Sequence, residues 1–300
     1  MADPPEVHVI AGTLFDQDGR VLIAQRPRGS HMAGRWEFPG GKLAFGEDPL
    51  AGLTRELAEE LGVTVHAARP LIRLHHAYPD RRVLLDVWTV TDYSGVPQGL
   101  DAQALDWVKP DDLPDRNLLE ADRAIVTALR LPRCARLVTG PGDIAELQGD
   151  EPQAILWQSA ESPGQPLEPA VVRSARASGH RVFALGDGVE AVRLAAMAGA
   201  DGAVLRWHGQ SLHVDRHGRF LVGVLCQTAA GAIEAAGEGA QFLVVAPQQA
   251  LMPERELAEL CRVVGIPVFA GWHPDARRAG RLQAAGAHGI AIRPRKGAGS

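Results

Sequence analysis

Residues 40–63, GGKLAFGEDPLAGLTRELAEELGV, constrain this chain more tightly than any other stretch, because one helix there must serve two purposes. With the helix starting near Asp48-Pro49, a position where proline is tolerated, Glu56, Glu59 and Glu60 fall at i, i+3 and i+4 and share one face. Like charges at that spacing repel by a few tenths of a kcal/mol per pair, which a solvated face tolerates and a divalent cation removes. Oxygen-only ligands select hard ions, Mg²⁺ or Mn²⁺, and Mg²⁺ completes its shell with water and substrate phosphate. The carbonyl of Gly40 can approach such an ion because no Cβ blocks it. The stretch reads as a metal–phosphate cradle.

Around it, residues 6–130 read as one mixed α/β unit. VHVIAGTLF and RVLIAQR flank an Asp18-Gly19 turn, RPLIRLHHAY and RRVLLDVWTV flank Pro79-Asp80, and a helix runs from about Glu120 to Arg130. LPRCA, residues 131–135, reads as a linker from this domain of residues 1–130 to a second domain at 136–300. There, LVTG, AILWQ, VFALG, GAVLR, FLVGVLC, FLVVAP, PVFAGW and GIAIR read as buried strands alternating with amphipathic helices, the pattern of a (β/α)8 barrel. Residues 136–300 fall short of the ~200 that small barrels use, so some connections must be stripped down. WHGQSLHVDRHGR has no helical period, and a helix is expected to be missing there.

A formal charge of −5 with no Lys/Arg run argues against nonspecific binding to nucleic acid or to an acidic membrane surface. No segment stays apolar for ~18 residues, and the N-terminus lacks a basic region followed by an apolar core, so a cytoplasmic protein is expected. Cys134, Cys226 and Cys261 are odd in number and widely spaced, and read as buried small hydrophobes.

Gly41, five residues, Glu47, seven residues, then Arg55-Glu56-Leu57-Ala58-Glu59-Glu60-Leu61-Gly62-Val63 matches the Nudix box GX5EX7REUXEEXGU at every fixed position. With Gln25-Arg26, HMAGRWEFPGGK and Tyr78-Pro79-Asp80-Arg81, residues 7–130 resemble the MutT-type Nudix hydrolases. The resemblance implies an α/β/α sandwich with a mixed sheet. It also implies cleavage of small-molecule nucleoside triphosphates, preferentially 8-oxo-dGTP, to monophosphate and pyrophosphate. It assigns Gly40, Glu56, Glu59 and Glu60 to the metal and makes Arg55 with Glu47 a supporting pair. Asp101 stands where the family has a further metal-binding or base-like glutamate, and is one methylene shorter. Asn117 stands for purine recognition, or equally for an N-cap. Arg26, Arg81 and Phe38 are the remaining substrate-pocket residues, Phe38 equally a core residue, while His31, His75 and His76 have no ligand spacing.

The second domain resembles thiamine-phosphate synthase in framework. It departs in chemistry, with Gly186-Asp187 for Asn-Asp, Gly209-Gln210-Ser211-Leu212 for an acidic pair, APQQALMP for a lysine-bearing loop and Gly271-Trp272 for Gly-Gly. A diphosphate needs the lost cations, so synthase activity is expected to be absent, leaving a structural role or a phosphate compound as ligand. Damaged thiamine diphosphates as the Nudix substrate, or a thiamine-pathway ligand-binding module, are the alternatives.

Overall fold

The structure is a computed structural model that describes residues 6–78, 81–145, 147, 151–158, 167–212, 218–248, 251–272 and 276–293. It divides into two compact units, Met1–Arg130 and Leu131–Ser300.

In the first unit, β1 (Glu6–Thr13) pairs in parallel with β6 (Arg82–Ser94) and antiparallel with β4 (Gly40–Lys42), and β5 (Thr64–Ala77) lies on the far side of β6. A second, three-stranded sheet has β2 (Val21–Gln25) between β3 (Trp36–Glu37) and β7 (Leu105–Val108). Strand alternation sends successive side chains to opposite faces. Ile10, Leu14 and Leu22 meet Leu53, Leu57 and Leu61 of α1 (Pro49–Leu61), while Ala11, Val21 and Ile23 meet Ile125, Val126 and Ala128 of α2 (Arg123–Arg130). The unit is therefore a helix–sheet–helix sandwich, as expected from its sequence. The final helix starts later than its sequence suggests, because Glu120–Asp122 form a 3₁₀ turn before α2. Pro79-Asp80 lies outside the described residues.

The second unit is a closed barrel of eight parallel strands: β8 (Cys134–Val138), β9 (Ala154–Trp157), β10 (Arg181–Gly186), β11 (Gly202–Arg206), β12 (Leu221–Cys226), β13 (Phe242–Val245), β14 (Val268–Gly271) and β15 (Gly289–Ile292). β15 pairs back onto β8 and closes it. Helices α3 (Pro141–Ala145), α4 (Pro169–Ala177), α5 (Gly188–Met197), α6 (Ala229–Gly237), α7 (Glu254–Val264) and α8 (Ala276–Ala284) fill the connections. Between β11 and β12 the described residues contain no helix, and 213–217 lie outside them. β8 begins at Cys134, inside the stretch read as a linker, and Leu131 already packs in the barrel interior, because the strand is needed to close the sheet.

The interior is filled by Phe183, Phe242 and Phe269, each fully buried and each in register with a glycine on the adjacent strand: Gly202, Gly223 and Gly289. The rings meet edge to face, with centroids 5.2 and 6.1 Å apart. Of the cysteines only Cys226 is buried, and Cys134 and Cys261 are half-buried; burial pushes the Cys226 and Cys261 thiols up to about 12. No helix among the described residues is long and apolar enough to cross a membrane.

A Cβ on Gly223 would lie 2.3 Å from the Phe242 ring, which has no free space to retreat into. Gly223→Ala is expected to destabilise the barrel by about 1–3 kcal/mol, read as a lowered urea midpoint with an unchanged slope.

Candidate active site

Helix α1 is fixed at both ends by local chemistry. The Asp48 carboxylate accepts from the Leu50 and Ala51 amides at 3.0 and 3.1 Å, Pro49 opens the first turn, and Gly62 closes the helix in the left-handed region at φ 68°. With Leu53, Leu57 and Leu61 turned into the core, the phase of the helix leaves Arg55 and Glu59 on the far side, with Glu56 and Glu60 half-buried along the border of the apolar face.

Arg55 gathers the carboxylates. Its Nε and Nη2 donate to the two oxygens of Glu47, both at 2.9 Å, and its Nη1 donates to Glu56 at 2.8 Å and to Glu59 at 3.3 Å. Nη2 also reaches the Lys42 carbonyl at 3.3 Å. Hydrogen bonds from Arg55, then from the Ala44 amide, hold Glu47 down at about 2, and the same carboxylates hold the Arg55 guanidinium in its charged form.

Glu60 is placed differently. Its carboxylate accepts from the Gly40 amide at 3.1 Å. Burial, reinforced by the charges of Glu37, Glu56 and Asp101, nevertheless pushes it up to about 7. Gly40 must be glycine, and at Gly41 the absence of a Cβ lets the Glu56 carboxylate lie close. Gly40 has φ 145° and a Cβ there would lie 2.1 Å from the Ile10 carbonyl oxygen; a Cβ on Gly41 would lie 2.2 Å from a Glu56 carboxylate oxygen.

A cavity of about 380 Å³ opens beside this strand. It brings together Arg26, Phe38, Gly40, Glu60, Arg81 and Asp101 from the sequence-derived set, with Glu37, His31, Tyr78 and Gln103. Phe38 is both core and lining, since it is 4% exposed. Arg26 is ion-paired with Glu37, and Tyr78 stacks edge-on against His76 at 4.5 Å. Glu47, Arg55, Glu56 and Glu59 do not line the cavity; Glu56 reaches its edge, with its carboxylate against Gly41 of the lining.

Asn117 is not on the lining. Its side chain is exposed, and its carbonyl accepts the Trp36 amide at 2.9 Å, which fixes the loop edge-on to β3. Nor does it cap the terminal helix, whose 3₁₀ entry follows Leu119. From this region Leu119, Ala121 and Asp122 line the cavity; Asp122 is the polar one, 5% exposed, and one of its carboxyl oxygens meets no hydrogen-bond partner among the described residues. Burial, then the Glu37 charge, pushes its carboxyl well above the usual range, against a bond from the Phe38 amide. In sequence, an aspartate just before an apolar helix looks like an exposed cap, so nothing local marks it.

The donor set fits a hard divalent cation: glutamate oxygens and a glycine carbonyl, with excess negative charge around a half-buried Glu60. Among the described residues no three acidic, histidine or cysteine side chains already stand in a ligating array. Glu56 is turned to Arg55 and Glu60 to the Gly40 amide.

Residues 10–128 match the family model described as NUDIX domain. An 8-oxo-dGTP diphosphatase of Proteus vulgaris is 45% identical over 93 residues, 31% of this chain and 83% of that protein. A CTP pyrophosphohydrolase of Escherichia coli K12 is 35% identical, over 42% of this chain and 94% of its own length. The 8-oxo-dGTP diphosphatase of the same organism is 32% identical, over 37% of this chain and 91% of its own.

The raised carboxyl of Asp122 fixes the sign of a pH effect. The folded state holds a proton that the unfolded chain releases near pH 4, so stability falls as pH rises through the interval between the two values. Asp122→Asn is expected to match the unaltered protein in stability at pH 4 and to exceed it at pH 8 by on the order of 1–3 kcal/mol, measured by denaturant melts across pH.

Proposed function

This chain belongs to the Nudix hydrolases, and from that footing we propose that it cleaves oxidised purine nucleoside triphosphates, 8-oxo-dGTP foremost, to monophosphate and pyrophosphate. The observation that carries the reading is one cavity with carboxylates at one part of its wall and the buried Asp122 at another. The first suits a cation-bound triphosphate, the second the edge of a base.

A carboxyl kept neutral by burial offers one donor and one acceptor side by side. Guanine presents two acceptors, N7 and O6, on its major-groove edge. Oxidation at C8 moves a proton to N7, and that edge becomes a donor beside an acceptor, complementary to a neutral Asp122. The same carboxyl also complements N3 and the amino group of cytosine. Cytidine triphosphates are therefore the second reading, which the similarity to a CTP pyrophosphohydrolase supports.

A divalent cation, Mg²⁺ or Mn²⁺, would neutralise phosphate oxygens and supply an activated water. Glu56, Glu59, Glu60 and the Gly40 carbonyl are the groups to hold it. Arg55, clamped by Glu47, restrains Glu56 while leaving its second oxygen outside the hydrogen bond. Arg26 and Arg81 border the cavity as positive charge for the triphosphate, and Asp101 shares the wall with Glu60, near enough for its charge to act on it. The work of the chain is positioning and charge placement; no covalent nucleophile is needed. Such an activity would remove mutagenic precursors from the nucleotide pool. The barrel is proposed to be non-catalytic: Asp187, its surviving carboxylate by resemblance, is engaged by Arg206 at 3.0 Å and by His208 at 3.2 Å.

Pyrophosphate release with Mg²⁺ against 8-oxo-dGTP, dGTP, CTP and thiamine diphosphate tests the assignment, with 8-oxo-dGTP expected to give the highest kcat/KM. A CTP preference would replace it with the second reading. Glu60→Gln is expected to lower kcat on the order of 10²-fold while the protein stays folded. Asp122→Ala is expected to shrink the kcat/KM ratio of 8-oxo-dGTP to dGTP by about 10-fold or more, because an unpaired polar edge no longer penalises the wrong base.

A further inference from the structure

The segment from Gly95 to Ala104 delivers Asp101 to the cavity wall, and it is tied to the last two residues of α1. The Glu60 carbonyl accepts the Leu100 amide at 3.0 Å and the Gln103 side-chain amide at 3.1 Å. The other end of the same side chain, the Gln103 carbonyl oxygen, accepts the Asp101 amide at 2.8 Å. The Gln98 amide adds a bond to the Leu61 carbonyl at 3.0 Å, and the Ala104 carbonyl accepts from Gln25 at 2.8 Å. Within this turn Ala102 sits at φ 59°, a left-handed conformation that a side chain rarely adopts. A Cβ on Gly99 would lie 2.1 Å from the backbone carbonyl oxygen of Gln103, so the turn is packed against itself. Gln103 is half-buried and lines the cavity with both acids.

We propose that Gln103 is a positioning residue, whose side-chain amide bridges the Asp101 amide and the Glu60 carbonyl and so fixes the Asp101 carboxylate against that of Glu60 for joint hold on a divalent cation. The inference rests on the metal reading given above for Glu60 and extends it to Asp101. Glutamine suits the task because its two ends differ: the oxygen takes a backbone donor and the nitrogen gives to a backbone acceptor, so one side chain spans the gap only in one orientation. An isosteric side chain without these ends leaves the Glu60 carbonyl with a single partner and Asp101 free to swing. Groups standing behind metal ligands in this way change affinity by about 10–100-fold when removed.

The test is Mn²⁺ binding to the full chain without nucleotide, followed by electron paramagnetic resonance of the free ion, with kcat and KM measured alongside. Gln103→Met is expected to weaken Mn²⁺ binding about 10-fold, to lower kcat at limiting metal, and to leave nucleotide KM at saturating metal within about 2-fold. In an Asp101→Asn background the same substitution is expected to cost nothing further, since the group it positions is gone. Ala102→Gly keeps the bridging amide while freeing the backbone, and is expected to retain Mn²⁺ affinity within about 2-fold. Unchanged affinity in Gln103→Met overturns the inference. So does an equal loss in both backgrounds, or a loss in Ala102→Gly as large as in Gln103→Met, each of which marks a general loosening of the loop. Glu60→Gln separates this from the underlying reading: if Glu60→Gln binds Mn²⁺ as tightly as the unaltered chain, the metal assignment itself falls and the inference with it.

Discussion

The guanidinium of Arg55 donates to both oxygens of Glu47, to Glu56 and to Glu59, and the arrangement of the acidic face of α1 follows from where those three carboxylates can then be. Carboxylates this close on one helix would spread apart in water, each costing the others a fraction of a kcal/mol. A planar fork with several fixed donors holds them at set angles instead, which an ammonium on a flexible stem would not do. Through Glu47 the fork pins the loop before α1, whose Ala44 amide bonds the same carboxylate at 2.9 Å. Through Glu56 it places a carboxylate oxygen against Gly41, 2.2 Å from where a Cβ would stand. Loop, helix and strand β4 are thereby locked into one register by side chains that themselves stand outside the cavity.

Against that fixed cluster, Glu37, Glu60 and Asp122 are the cavity carboxyls whose protonation is displaced upward, each first by loss of water. The unit accepts acids in places where burial opposes their ionisation. For the base-reading role proposed for Asp122 this burial matters, because discrimination by hydrogen bonding is strong only where an unmatched partner cannot turn to solvent. The apolar walls contributed by Phe38 and Leu85 exclude that solvent.

The parts legible in sequence were those where chemistry forces residue type and spacing together. The box residues had to sit at fixed offsets on one helix, so their face and the Asp48-Pro49 start could be read directly, and the eight apolar runs showed the barrel because strands covered on both faces need no alternation. Asp122 and Asn117 were not legible. They lie five residues apart in one polar stretch, and only the 3₁₀ entry to α2, set by packing of Ala121 and Ile125 into the core, turns one inward and leaves the other in water. The bridging amide of Gln103 was hidden for a similar reason, since its partners, Glu60 and Asp101, come from segments 43 and two positions away. The start of the barrel at Cys134 was obscured by Pro132 and Arg133, which look like linker residues until the strand is seen to close the sheet.

In the barrel, each phenylalanine of the interior borrows its room from a glycine across the strand boundary: Phe183 from Gly202, Phe242 from Gly223, Phe269 from Gly289. Volume is therefore settled between neighbours and not averaged over the whole interior. For an evolving lineage this makes Gly223 and Phe242 a ratchet with two teeth, whereas at Gly202 and Gly289 the Leu221 and Arg133 backbone carbonyl oxygens, 2.1 and 2.2 Å from where a Cβ would stand, hold the glycine whatever the ring does. Gly223 cannot grow until Phe242 has shrunk, and a shrunken Phe242 leaves a void that selects for Gly223 to grow. Intermediates on either route are worse than both ends, so that pair should persist, or exchange roles, as a unit long after the loops around the barrel have diverged.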